Sequence, residues 1–217
     1  MDWNERLDNY CERVGPEFWA EPLNAVSNLS FVVAALWAYV LWRRQTPGDW
    51  PALFLIVVVL ATGIGSFLFH TFATRWAMLA DVVPIAIFIH GYLLLALRRY
   101  LGLPWWAAIA LVAVFLVATP YIAGLAQPVA ASSAGYVPAL LAIFAMAAMV
   151  RSKGQGLSKP LFVVGLLFLI SLTFRTIDAP LCAGLEVGTH FLWHMFNGLV
   201  LFLLLRLLIS QRAGYTP

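Results

Sequence analysis

The sequence predicts an all-α integral membrane protein, a seven-helix transmembrane bundle with its N-terminus outside and its C-terminus cytoplasmic. Three observations lead there. Of 217 residues, 63% are hydrophobic and only 11% charged, more apolar surface than a water-soluble domain of this length can hide. The apolar residues gather in stretches of about 20, the length that crosses a hydrocarbon core of ~30 Å. Lys and Arg are unevenly shared between the two sides that those stretches define.

The chain divides into an acidic extracytoplasmic segment (1–21), a seven-span domain (22–210) and a cytoplasmic tail (211–217). The opening MDWNERLDNYCERVGPEFWAE is polar where a cleaved signal peptide is basic and then apolar, so the first span is expected to be its own insertion signal. The first helix, 22–43, opens on a polar row: Glu21, Asn24, Ser27 and Asn28 share one face and point into the bundle. Ser27 and Asn28 read as interhelical hydrogen bonders. The second helix, 50–72, ends in GSFLFH at His70. The third, 77–98, carries Asp81 in its first turns and His90 at its middle, where interhelical hydrogen bonding is again the expected role. The fourth, 104–121, is short, with Pro120 near its end. The fifth, 135–151, and the sixth, 160–176, are followed by Asp178, and the seventh, 188–210, opens with GTHFLWH. Pro and Gly punctuate the connections at TPGDWP, YLGLP, AQPVAASSAGYVP and KGQGLSKP, as turn chemistry requires.

Orientation follows from the thirteen cationic residues. Arg43, Arg44, Arg98, Arg99, Arg151, Lys153, Lys159, Arg206 and Arg212 fall on one side; Arg6, Arg13, Arg75 and Arg175 fall on the other. The denser side is cytoplasmic by the positive-inside rule. The net charge of +3 is then a topology signal, and nucleic-acid binding is not expected.

The chain has four histidines, and three converge by topology. His190 and His194 are one turn apart and share a helix face. His70 ends the second helix at the same membrane depth, and Asp81 follows across a short turn. Three imidazoles with a carboxylate nearby suit a catalytic zinc, which takes three protein ligands and keeps one position open. Ser66, at i−4 from His70, shares its face. Asp178, beside Arg175, could pair with that Arg or orient a metal-binding histidine from behind, and Asn24 is a candidate for the same supporting role.

Cys11 and Cys182 both fall on the outer side, where a disulfide could tie the N-terminal segment to the loop before the last helix; the alternative is two buried thiols. Asp8, Asn9, Glu12, Glu17 and Glu21 gather oxygens around a Gly15-Pro16 turn. They could hold a hard cation such as calcium or form a solvated acidic tail, and their spacing is not that of an EF-hand loop.

Through YCE, AEPLNAVSN, GSFLFH followed by Asp81, IDAPLC and GTHFLWH, the chain resembles the alkaline ceramidases, part of a superfamily of seven-helix membrane hydrolases that includes the adiponectin receptors. The resemblance spans nearly the whole sequence. It implies a zinc-dependent amidase that cuts the N-acyl bond of ceramide, with His70, His190 and His194 as zinc ligands, Ser66 and Asp81 as catalytic neighbours, and Cys11 with Cys182 as a disulfide. It also implies a calcium site on Asn9, Tyr10 through its backbone, Glu12 and Glu21. Val14 stands where the eukaryotic members carry a further Asn ligand, and Asp8 could replace the missing carboxylate. The expected partner is a membrane lipid, ceramide or a related N-acyl lipid, with no obligate protein partner. The compact loops read as bacterial, which puts the site on the periplasmic side of an inner membrane. A second reading is a seven-helix receptor or binding protein with a structural metal, which a fourth protein ligand would close. A transporter is disfavoured because no inverted repeat is evident.

Overall fold

The computed structural model describes residues 2–152 and 156–212; Lys153 and the tail from 213 onward lie outside the described residues. The architecture is all-α: α1 (Pro22–Ser27), α2 (Leu29–Gln45), α3 (Trp50–Phe72), α4 (Arg75–Arg99), α5 (Trp105–Ala130), a 3-10 turn (Ala131–Tyr136), α6 (Val137–Ser152), α7 (Ser158–Leu181) and α8 (His190–Arg212). Among the described residues, six helical segments are long and apolar enough to cross a membrane: Pro22–Gln45, Trp50–Phe72, Arg75–Arg99, Trp105–Ser152, Ser158–Leu181 and His190–Arg212.

The expectation of seven separate spans is therefore corrected at one place. The expected fourth and fifth spans belong to one helical run, Trp105–Ser152. Pro120 does not end α5, which continues through Pro120 and Pro128 to Ala130. A proline costs one backbone bond in a helix, and membrane helices tolerate it where neighbouring groups satisfy the freed carbonyl. The interruption comes instead at Ala131, whose φ of 42° and ψ of −116° are incompatible with helix. The first expected span is also divided, at Asn28, between α1 and α2.

The core runs along α2, α3, α4, α6, α7 and α8, with Phe31, Leu55, Val59, Leu161, Leu205 and Leu208 fully enclosed. α5 is the outlying helix. Ala108 is its one buried residue, while Trp106, Val114, Val117, Leu125 and Val129 are exposed, as expected of side chains that face lipid.

Small residues set the closest helix contacts. A Cβ on Gly65 of α3 would lie 1.9 Å from the Ala80 carbonyl oxygen of α4, and one on Gly198 of α8 would lie 2.8 Å from Ser30 Oγ of α2. Both contacts stand beside the histidine-bearing turns. At the opposite end, Asp49 caps α3 by accepting from Ala52 N and receives both Arg99 nitrogens, at 2.7 and 2.6 Å.

The N-terminal segment is a strap laid across the α3–α4 turn. Leu7 N donates to Ala73 O at 2.8 Å, Arg75 N to Glu5 O at 3.1 Å and Trp76 N to Trp3 O at 3.2 Å, and Arg75 pairs with Glu5. A Cys11–Cys182 disulfide then fixes the strap to the end of α7.

Candidate metal centre and its surroundings

Helical geometry places the three histidines. His190 and His194 stand one turn apart at the start of α8, and His70 occupies the last turn of α3. All three are fully buried, and one nitrogen from each lies within 4.8 Å of the others. Among the described residues no hydrogen-bond partner meets His70 Nε2, His194 Nε2 or either ring nitrogen of His190. Buried polar atoms are nearly always partnered, because desolvation without compensation is costly. Three bare imidazole nitrogens facing one point therefore fit a cation, and the all-nitrogen donor set suits zinc.

The groups behind two of the rings fix which nitrogen carries the proton. His70 Nδ1 lies 2.6 Å from Glu21 Oε2, and a carboxylate accepts, so Nδ1 donates and Nε2 keeps its lone pair toward the cluster. His194 Nδ1 lies 2.7 Å from Ser27 Oγ. The Ser27 hydroxyl donates its one proton to Asn24 O at 2.9 Å, so it accepts from His194 Nδ1, and again Nε2 is free. His190 is held by its faces. Tyr10 stacks on one side at 3.7 Å between ring centroids and Trp193 on the other at 5.1 Å.

The other site residues arrive by their helices. Ser66 lies one turn before His70, and Asp81 is in the second turn of α4, both buried. The glycine contact at Gly65 lets α3 and α4 approach closely enough for the two to be side-chain neighbours. Ser66 faces the Asp81 carboxylate, and no further partner among the described residues meets Ser66 Oγ or Asp81 Oδ1. Arg175 is not paired with Asp178; its guanidinium binds the Ser132 carbonyl and stands 5.2 Å from the Tyr136 ring and 5.7 Å from the Trp193 ring. One turn deeper, Thr62, Ile85 and Asn197 continue the faces of Ser66, Asp81 and His194. There they open an apolar cavity whose walls include Phe88, Phe115, Tyr136, Met146, Leu201 and Leu204.

Asp178 and Glu12 serve backbone amides. Asp178 Oδ1 accepts from Thr189 N at 2.6 Å and His190 N at 2.9 Å, and its Oδ2 from Cys11 N at 3.2 Å. It thereby caps α8 where His190 begins it. Gly188, with φ of 60°, is needed at this turn because a Cβ would lie 2.2 Å from Asp178 Oδ1. Glu12 accepts from Leu23 N and Asn24 N, each at 2.7 Å, and so caps α1. Burial raises the Glu12 carboxyl above its ordinary value, against the two amides. Asn24 donates to Glu21 Oε2 at 3.1 Å. His90 Nδ1 is bound to Ala86 O of its own helix at 2.7 Å, away from the cluster.

Glu21 is the hub of the outer half of the site. Its Oε1 pairs with Arg13 Nε, while Oε2 takes His70 Nδ1 and Asn24. Burial acts to raise its carboxyl, but the hydrogen bond from His70 and the Arg13 charge prevail and hold it below the ordinary value. Burial pushes the Tyr10 phenol well above its usual range, so it stays protonated.

The oxygens expected to hold calcium do not form a vacant cage. Asp8 and Asn9 are exposed, both Glu12 oxygens are taken by amides, and Glu21 is shared among a guanidinium, an imidazole and an amide. The donor set does not fit calcium. Arg13 and Trp193 had no assigned part in the sequence reading. In the sequence Arg13 counts only as a topology charge, and its position next to Glu12 in the acidic segment is the one signal of a further role.

No curated protein matches the sequence. The family model described as Ceramidase matches residues 2–216. With nearly every residue matched and a buried histidine triad suited to a metal, the chain belongs to the ceramidase family.

Proposed function

We propose that the protein is a zinc-dependent membrane amidase that hydrolyses the N-acyl bond of ceramide or a related lipid amide, releasing a sphingoid base or other amine and a free fatty acid. The observation that carries this reading is the convergence of three buried, unpartnered imidazole nitrogens beside Asp81 and Ser66 at the head of an apolar cavity. Three ligands leave a position open for chemistry, whereas a structural site is closed by four; among the described residues the cluster of possible ligands contains only the three histidines.

Zinc, when held there, supplies a Lewis acid for the amide carbonyl and lowers the pKa of water. The chain's own residues do the rest. Asp81 accepts a proton from the attacking water as its oxygen bonds to the carbonyl carbon, and returns one to nitrogen as the C–N bond breaks. Ser66 donates a hydrogen bond to the carbonyl oxygen as it gains charge. The apolar cavity receives the acyl or sphingoid chain, and the strap of residues 2–21 with its stacked Tyr10 limits access of bulk water.

The membrane arrangement we infer has the N-terminus outside and the site on the outer, periplasmic side of a bacterial inner membrane. The Trp105–Ser152 run supports two passes, since the break at Ala131 divides it into α5, 26 residues or roughly 39 Å at ~1.5 Å each, long enough for an apolar core of ~30 Å, and a second segment made of the 3-10 turn and α6. That restores seven crossings and agrees with the distribution of Lys and Arg.

The test is to purify the protein in detergent, measure bound zinc, and assay fatty-acid release from ceramides, N-acyl ethanolamines and acylated lysolipids, with His194→Ala as control. Zinc near one per chain and amide-dependent release are expected. Absence of both would falsify the enzyme reading.

A further inference from the structure

The side chain of Arg13 lies in the protein interior, 8% exposed, surrounded by oxygens. Its Nε pairs with Glu21 Oε1, one terminal nitrogen donates to Gly15 O at 3.1 Å, and the other donates to His70 O at 3.0 Å. One carboxylate and two backbone carbonyls converging on a point are the donor types that coordinate a hard divalent cation. Here a guanidinium already fills that point. It brings a permanent charge and a planar fork of donors.

The guanidinium also holds His70 from two directions. It binds the His70 carbonyl directly, and through Glu21 it reaches the His70 ring, whose Nδ1 donates to the other carboxylate oxygen. Without a cation on Oε1, Glu21 would be a buried anion with only the imidazole and the Asn24 amide to balance it, and a buried charge stripped of its partner is strongly unfavourable. The carboxylate would then be free to turn away from Nδ1 and release the ring.

We propose that Arg13 is a built-in cation that takes the place of a divalent metal at the Glu21, Gly15 and His70 oxygens, making it a positioning residue for His70 and the protein independent of calcium. The inference rests on the reading of His70 as a zinc ligand. Its consequence is that zinc affinity depends on the charge at position 13 and not on calcium.

The experiment has two arms, both on the full chain in detergent. In the first, the wild-type protein is dialysed to equilibrium against radioactive calcium, and zinc retention against a competing chelator is followed with and without millimolar calcium. No stoichiometric calcium uptake and unchanged zinc retention are expected; one calcium bound per chain, or zinc retention raised by calcium, overturns the proposal. In the second arm, Arg13→Gln is expected to lower zinc affinity roughly tenfold or more, the range for removing groups that orient metal ligands, and Arg13→Lys to recover part of the loss by keeping the charge. Equal affinities in wild type and Arg13→Gln, or a Lys variant as weak as Gln, would also overturn it. If Arg13→Gln does not fold, the wild-type arm decides alone. A wild-type chain that binds no zinc sinks the amidase reading, whereas calcium uptake sinks this one, so the two failures are distinct.

Discussion

At His70 and His194 the two ring nitrogens have separate duties. In each, Nδ1 is committed to an acceptor, Glu21 or Ser27, and Nε2 is left toward the cluster. Removing one ligand leaves two, too few for a zinc site that normally has three. His194→Ala is therefore expected to lose bound zinc together with activity, as elemental analysis of the purified variant would register. Asp81→Asn should separate the two: zinc stays bound because Asp81 is outside the triad, while amide hydrolysis falls by roughly 10²-fold or more, the scale of a lost general acid–base. An Asp81→Asn protein with wild-type turnover would show that the proton goes elsewhere. At this scale the sequence was informative where spacing alone decides position. His190 with His194, and Ser66 with His70, share faces because they are four residues apart in a helix. Arg13 was not legible in that way. Its partners Glu21 and His70 are 8 and 57 residues distant, and no local period joins an irregular strap to two helix ends.

Among the elements, the α3–α4 pair decides how Ser66 and Asp81 meet. Gly65 faces the Ala80 carbonyl at a distance that leaves no room for a methyl group, so Gly65→Ala must push the two helices apart. Overpacking of this kind costs about 1–3 kcal/mol. The expected outcome is a lowered thermal midpoint in detergent and an activity loss larger than the loss of bound zinc, since His70 faces α8 while Asp81 moves with α4. The start of α8 is the second controlling element. Asp178→Ala removes the acceptor for Thr189, His190 and Cys11 amides, and loss of such a cap costs about 0.5–2 kcal/mol. A reduced zinc affinity, read by chelator competition, should accompany it because His190 is the first residue of the helix. The helix positions were readable from apolar length, but the end of α5 was not. Pro120 looks like a stop when judged by water-soluble rules; in a membrane helix the loss of one backbone bond is absorbed, and the true break comes at Ala131, inside the AQPVAASSAGYVP connection that Pro128 and Gly135 mark.

Over the whole molecule, the Cys11–Cys182 disulfide closes a 171-residue separation and fastens the strap over the histidine end of the bundle. Its loss is expected to act on the site through the strap: Cys11→Ser should lower the thermal midpoint, since a disulfide typically contributes about 2–4 kcal/mol, and should speed zinc release as Tyr10 leaves the face of His190. Equal zinc-release rates in the variant and wild type would mean that the strap is not a cover. Taken alone, the sequence determined the membrane class, the approximate helices and the pairing of histidines, because hydrophobic length and helical period are local properties written in consecutive residues. Only the tertiary structure decided that α5 and α6 form one run, that Asp178 and Glu12 cap the helices that follow them, and that a guanidinium pairs with Glu21, one of the residues expected to bind calcium. Those outcomes depend on which distant polar groups reach one another in a buried space, where every charge must find a partner, and no spacing along the chain encodes that choice.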